Sequence, residues 1–188
     1  MEIATAAAAD ANAVPADDGA DPFLSFVDVA VADITAREPS LDEESMRLVL
    51  LLHRVTNSIV YDLESTVHRP AGWTWAAFRL LFTLWVTGPV DSKTAASTSG
   101  MSRPAVTALV RTLERDGLIQ RLRDPNDGRS VVITLTAKGH RQMSETFRQH
   151  NERERNWMSA LSGDERQALM SALTKLSAAA HSDWVSRR

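Results

Sequence analysis

The sequence predicts a mainly α-helical protein carrying one small β-hairpin. Three observations lead there. Apolar residues recur at steps of three and four through most of the chain. Two short β-prone stretches, Ile119–Arg123 and Ser130–Leu135, flank a connector, Asp124-Pro125-Asn126-Asp127-Gly128-Arg129, with the Pro, Asn and Gly of a hairpin turn. The chain has 188 residues, 44% hydrophobic and 24% charged, enough to bury a core without disulfides. Cysteine is absent from the sequence, which excludes a disulfide scaffold, a thiolate metal centre and thiol-based redox sensing.

The elements follow in order. Residues 1–20 are rich in Ala and Asp, contain Pro15 and Gly19, and read as a disordered acidic tail. Asp21-Pro22 starts a helix, with Phe23, Phe26, Val27, Ala30 and Ile34 at helical spacing and an end before Pro39. Ser40-Leu41-Asp42-Glu43 opens a long helix to about His68, whose apolar stripe is Leu48, Leu52, Val55 and Ile59. Arg69-Pro70-Ala71-Gly72 breaks it. A helix from Thr74 to about Thr87 presents Phe78, Leu81, Phe82 and Trp85, and stops at Gly88-Pro89. Ser92–Ser99 forms a short helix, Gly100-Met101 a turn, and Ser102 caps a helix reaching Asp116, where Gly117 ends it. After the hairpin, Thr136 caps a helix to about Leu161, with Met143, Phe147 and Trp157 available for packing. Ser162-Gly163-Asp164-Glu165 is a capping box before a last helix with Leu169, Leu173, Leu176 and Ala180 on one face.

Net charge is −3, which by itself disfavours a polyanionic partner. The acid is concentrated, however. Residues 1–22 hold Glu2, Asp10, Asp17, Asp18 and Asp21 with no Lys or Arg, so the remainder is +2, as is the segment 91–135 alone. Local field governs phosphate contacts more than global charge does.

Ser92–Ser99, Gly100-Met101 and Ser102–Asp116 have the layout of a helix-turn-helix. In the second helix Val106, Leu109, Val110 and Leu113 point one way; Pro104, Ala108, Arg111 and Arg115 point the other, flanked by Arg103 and Thr107. Such a helix fits a major groove, where guanidinium and hydroxyl groups meet base edges, and its Ser102 terminus suits a phosphate. On the hairpin, Arg129 stands near Arg121 and Arg123, suited to a narrow minor groove, with Asp127 close enough to orient it.

Three stretches in order, MSRPAVTALVRTLERDGLIQR at 101–121, DPNDGRS at 124–130 and LTAKG at 135–139, resemble the recognition helix, wing and post-wing helix start of the MarR family. The resemblance spans about residues 42–185. It implies a winged helix-turn-helix DNA-binding lobe plus a helical dimerisation lobe: 21–73 as N-terminal dimerisation helices, 74–135 as the DNA-binding domain, 136–188 as C-terminal dimerisation helices. It further implies a homodimer on a palindromic double-stranded operator, with Ser102, Arg103, Thr107 and Arg111 at the DNA and Arg129 as the wing arginine steadied by Asp127; Pro104, on the presenting face of the helix, and Arg123, on the hairpin, are expected to join them by position.

Many family members are repressors released by small aromatic or phenolic acids. A matching pocket here would use His53, Asn57 and Tyr61, spaced four apart on one helix, with Trp75 and Arg79 from the next. Competing roles for the same residues are core packing for Trp75 and an ion pair of Arg79 with Asp62 or Glu64. No nucleophile elbow, phosphate loop or HExxH occurs in the sequence, so an enzyme is not expected. His150, Glu152, Glu154 and Asp164 read as a solvated charged face and not a metal site, and no cofactor is expected. With no signal-like start and no long apolar run, the expected location is the cytoplasm, with no membrane partner. The alternative reading is a winged-helix protein-interaction module that ignores DNA; a steep salt dependence separates the two.

Overall fold

A computed structural model describes residues 22–123 and 131–185. These form seven helices and three short strands. Packing groups the chain into two compact units, one ending at Ser58 and one beginning at Ile59.

The first unit contains α1 (Pro22–Arg37) and α2 (Glu43–Leu63) as far as Ser58. Asp42 begins α2 by accepting from the Ser45 N–H at 3.0 Å and the Ser45 hydroxyl at 2.7 Å, contacts that hold its carboxyl below the usual aspartate range. Arg47 ties the helices together through Asp28 and also reaches Glu43 at 3.3 Å. The Arg54 guanidinium sits 5.0 Å from the Phe26 ring centroid. On α2, Leu48, Val49, Leu52 and Val55 are exposed. Leu48, Leu52 and Val55 belong to the stripe read at helical spacing, and Val49 adds to the apolar surface beside it.

The second unit opens with a departure from expectation. The α2 periodicity ends at Leu63, and Glu64–His68 form a π-type turn in which the Arg69 N–H donates to the Glu64 carbonyl at 2.8 Å. One extra residue in the turn shifts the register, and Val67 and His68 are both buried. Propensity cannot announce such a turn; tertiary packing of the two side chains selects it.

Thr74 caps α3 (Trp75–Thr87), its hydroxyl accepting from the Ala77 N–H at 3.1 Å. Asp91 caps α4 (Ser92–Ser99) by accepting from Lys93 and Thr94 N–H at 2.7 and 2.9 Å, which lowers its carboxyl pKa. Ser102 caps α5 (Arg103–Arg115). Around these helices one core forms from Phe78, Leu80, Leu81, Leu84, Ala95, Val106, Val110, Leu113, Ile119, Ile133, Leu135 and Met143. Burying each of the larger side chains contributes about 1.5–3 kcal/mol.

The hairpin strands are β2 (Ile119–Arg123) and β3 (Val131–Leu135), antiparallel, with Ile119 opposite Leu135 and Arg123 opposite Val131. A strand the sequence did not announce, β1 (Val90–Asp91), pairs with β3 on its other edge and gives the order β1-β3-β2. Two residues are too few to leave an alternating pattern. The hairpin base is fixed to α6 (Ala137–Met158): the Thr136 hydroxyl donates to Gly117 carbonyl at 2.7 Å and accepts from the Gly139 N–H at 3.0 Å. Only glycine fits at 139, because a Cβ there would lie 2.0 Å from the Leu118 carbonyl oxygen.

At the far end of α6, Asp62 accepts from Arg153 through both oxygens at 2.7 Å and from the Trp157 indole N–H at 2.7 Å. Arg153 is the main cause of the lowered Asp62 pKa. Finally α7 (Gly163–Ala179) starts at the anticipated capping box, Ser162 with Glu165, and carries no buried residue; Leu169, Met170, Leu173 and Leu176 are exposed along it. No helix among the described residues is long and apolar enough to cross a membrane.

Candidate nucleic-acid interface and adjoining cavity

The second helix of the helix-turn-helix is α5. Its buried face is Val106, Val110 and Leu113, and its exposed face carries Arg103, Pro104, Thr107, Ala108, Arg111 and Arg115. The periodicity of the sequence therefore separates the packing from the presenting side as anticipated. Ser102 stands at the helix N-terminus with its hydroxyl on the Ala105 N–H at 3.4 Å, a long bond that an incoming acceptor can replace. The Thr107 hydroxyl donates back to the Arg103 carbonyl at 2.9 Å. Arg115 is engaged by Asp116 at 3.1 Å and Arg121 by Glu114 at 3.5 Å, whereas Arg103 and Arg111 make no ion pair to another described residue. The two guanidiniums nearest the start and middle of α5 are thus available to a polyanion. Arg123, at the end of β2, is exposed. Asp127 and Arg129 lie outside the described residues.

Of the five residues expected to form a ligand pocket, the structure brings two together. Trp75 and Arg79 line a cavity of about 390 Å³ with Phe78, Phe82, Thr83, Thr98, Ser99, Phe147, His150 and Glu154. Tyr61 is 72% exposed and is not part of this lining. His53 and Asn57 are exposed on the part of α2 that belongs to the first unit, bonded to each other at 3.2 Å. Nor does Arg79 pair with Asp62 or Glu64. Asp62 is taken by Arg153, Glu64 by Arg69 at 3.4 Å, and Arg79 donates instead to the Ser99 carbonyl. A larger cleft, about 760 Å³, is lined by Ile59, Leu63 and residues of α6 together with Arg166 of α7, and by none of the helix-turn-helix.

Five rings that line the smaller cavity, Trp75, Phe78, Phe82, Phe147 and His150, belong to a stack that also takes in His68 and that the sequence reading missed. His68 lies 4.1 Å from Phe78 and Phe78 lies 4.5 Å from His150, centroid to centroid, with near-parallel planes. Phe82 and Phe147 extend the stack at 5.5 Å, and Trp75 closes on His68 at 5.5 Å. The signal was present in the sequence: Met143, Phe147 and His150 sit at steps of four and three on one face of α6. His150 is therefore buried, contrary to the expectation of a solvated face.

The two histidines form a relay. His150 Nε2 is 3.2 Å from Glu154 Oε1, and His150 Nδ1 is 3.0 Å from His68 Nε2. The carboxylate can only accept, so His150 carries its proton on Nε2. Its Nδ1 then accepts from His68 Nε2–H, leaving His68 Nδ1 as a bare acceptor, buried with no hydrogen-bond partner among the described residues. Both rings are neutral by this arrangement. Burial pushes the His68 pKa down to about 4, with the neighbouring His150 adding to it, and burial also lowers His150 against the opposing pull of Glu154.

A helix-turn-helix followed by an antiparallel hairpin and flanked by long helices is the architecture of a winged-helix transcriptional regulator. The MarR family profile matches residues 73–131. A helix-turn-helix-type transcriptional regulator of Bacillus subtilis (strain 168), YkoM, is 30% identical over 72% of this chain and 90% of its own length. Among solved structures, the transcriptional repressor CouR bound to a 23-mer DNA duplex is 30% identical, covers 73% of this chain and 99% of its own, and superposes with a TM-score of 0.64. NadR in complex with 4-hydroxyphenylacetate is 26% identical over 66% of this chain and 88% of its own, with a TM-score of 0.57. This chain belongs to the MarR family of DNA-binding transcriptional regulators.

Proposed function

We propose that the protein is a repressor that binds a palindromic operator as a homodimer and is released by a small aromatic or phenolic acid. The observation that carries the DNA part is the exposed face of α5, where Arg103 and Arg111 make no ion pair with any carboxylate among the described residues, beside the Ser102 terminus. Ser102, Arg103, Pro104, Thr107 and Arg111 would meet the major groove, and Arg123, Asp127 and Arg129 would serve the wing. The apolar residues of α7 and the exposed stripe on α2 supply material for a two-fold interface, and two linked reading heads multiply specificity. For the effector, support comes from the cavity between α3, α4 and α6, which has stacked rings, one guanidinium and one imidazole, and a volume near the lower end of small-molecule sites. CouR on DNA and NadR with a phenolic acid lend the same reading weight.

The test is selection. Incubated with a pool of random duplexes, the purified protein should enrich a two-fold symmetric site, and hydroxylated aromatic acids should weaken binding to it. Failure to enrich any site removes the operator reading; enrichment unaffected by the acids removes the effector reading alone.

A further inference from the structure

The cavity and the reading head share one side chain. The Arg79 guanidinium lines the cavity and donates to the carbonyl of Ser99, the last residue of α4. The next residue, Gly100, is the left-handed turn (φ +64°) from which the chain passes through Met101 into the Ser102 cap of α5. A Cβ on Gly100 would come within 2.8 Å of the Arg79 Nη2, so the guanidinium rests directly on the turn. The carbonyls of Ala96 and Ser97 are already met by the N–H groups of Gly100 and Met101. Arg79 thus supplies, from α3, a donor to the C-terminal end of α4, where a cation is favoured.

Resting on the effector reading above, we propose that Arg79 is the latch through which an anion in the cavity governs the helix-turn-helix. With the cavity lacking an anion, the guanidinium holds the Ser99 carbonyl and fixes the turn before α5. A carboxylate entering the cavity offers a charged, two-oxygen acceptor that matches the guanidinium fork bidentately, which one neutral carbonyl cannot do. The latch turns to the ligand, Ser99 and Gly100 lose their clamp, and the Ser102–Arg103 start of α5 loses its fixed position. The cavity also limits the charge of its occupant. Glu154 stands in the lining on His150, so a second anionic group beside it is repelled, while a hydroxyl or N–H donor there is accepted. The ligand class is therefore a planar monoanion with a hydrogen-bond donor at the end away from its carboxylate.

The experiment uses the full chain, the duplex that it selects, and two probes, 4-hydroxyphenylacetate and its neutral amide. Wild type, Arg79→Ala and Arg79→Lys are titrated by anisotropy with and without each probe, and probe binding is read from tryptophan fluorescence, since Trp75 lines the cavity. Expected for wild type is a loss of duplex affinity of about 5-fold or more with the acid and none with the amide. Arg79→Ala should start about as weak as acid-treated wild type and ignore the acid; Arg79→Lys should regain part of both properties. Gly100→Ala, which pushes the guanidinium aside, should weaken duplex binding in the Arg79 protein more than in Arg79→Ala. The cost of its left-handed backbone is common to the two backgrounds and cancels. Melting curves for each variant separate these effects from unfolding. A folded Arg79→Ala protein that binds as wild type does, or that is still released by the acid, overturns the latch. Equal release by acid and amide, or no binding of the acid to wild type, overturns the ligand class. A wild type that selects no duplex brings down the regulator reading itself, a separate outcome.

Discussion

At the residue scale, the His68–His150 pair carries a consequence for stability. The native structure keeps His68 neutral down to about pH 4, whereas an unfolded His takes its proton near 6.5. Below pH 6.5 the unfolded chain therefore binds more protons than the native one, and stability falls as pH drops from about 6.5 toward 4, by at most about 1.4 kcal/mol per pH unit for this group. Chemical denaturation across that range should show the decline, and His68→Phe, which keeps a ring in the stack, should flatten it. A wild-type profile with no slope there contradicts the neutral pair. Asp62 acts at lower pH: its depressed pKa gives stability that is lost as pH falls below the ordinary carboxylate value. The residues that sequence reading missed, His68, His150 and Glu154, were hidden for a physical reason. The apolar spacing from Met143 through Phe147 to His150 is masked by the charged run that follows it, and the burial of His150 is completed by the Phe78 ring that α3 packs against it.

At the element scale, α5 was the most legible part of the chain. Its apolar and polar faces are written at helical spacing, its cap is a serine, and Gly117 ends it. The ion pairs were not legible, and they rank the arginines. Arg111 faces outward with no carboxylate partner among the described residues, while Arg115 is held by Asp116. Arg111→Ala should weaken operator binding by about 1–3 kcal/mol, as for a good base contact, and relax selectivity at one position. Arg115→Ala should change affinity by less. Competition titrations against the selected site measure both, and a larger loss from Arg115→Ala would reverse the assignment. The π-type turn at Glu64–His68 and the two-residue β1 were not legible. Each is decided by what packs against it, and neither has the length to carry a periodicity.

At the scale of the whole molecule, the fold class followed from element order: helices, hairpin, helices. What the sequence could not give was which apolar stripes stay uncovered. Leu173 and Leu176 on α7 are 40% and 56% exposed, and a helix with no buried residue gains little from its own chain. Such a stripe fits a second copy. Leu173→Glu should shift sedimentation at micromolar concentration from twice the chain mass toward one chain mass, with parallel loss of operator affinity. A variant that stays dimeric and binds normally would remove α7 from the interface.

The central claim is that exposed guanidiniums on α5 and the hairpin engage duplex DNA by charge as well as by shape. The most direct measurement is the affinity of the purified protein for its selected duplex as a function of salt. A dimer releasing counterions from about six to ten phosphates gives a log–log slope of about −5 to −9. Absence of binding at low salt, or binding indifferent to salt, contradicts the account.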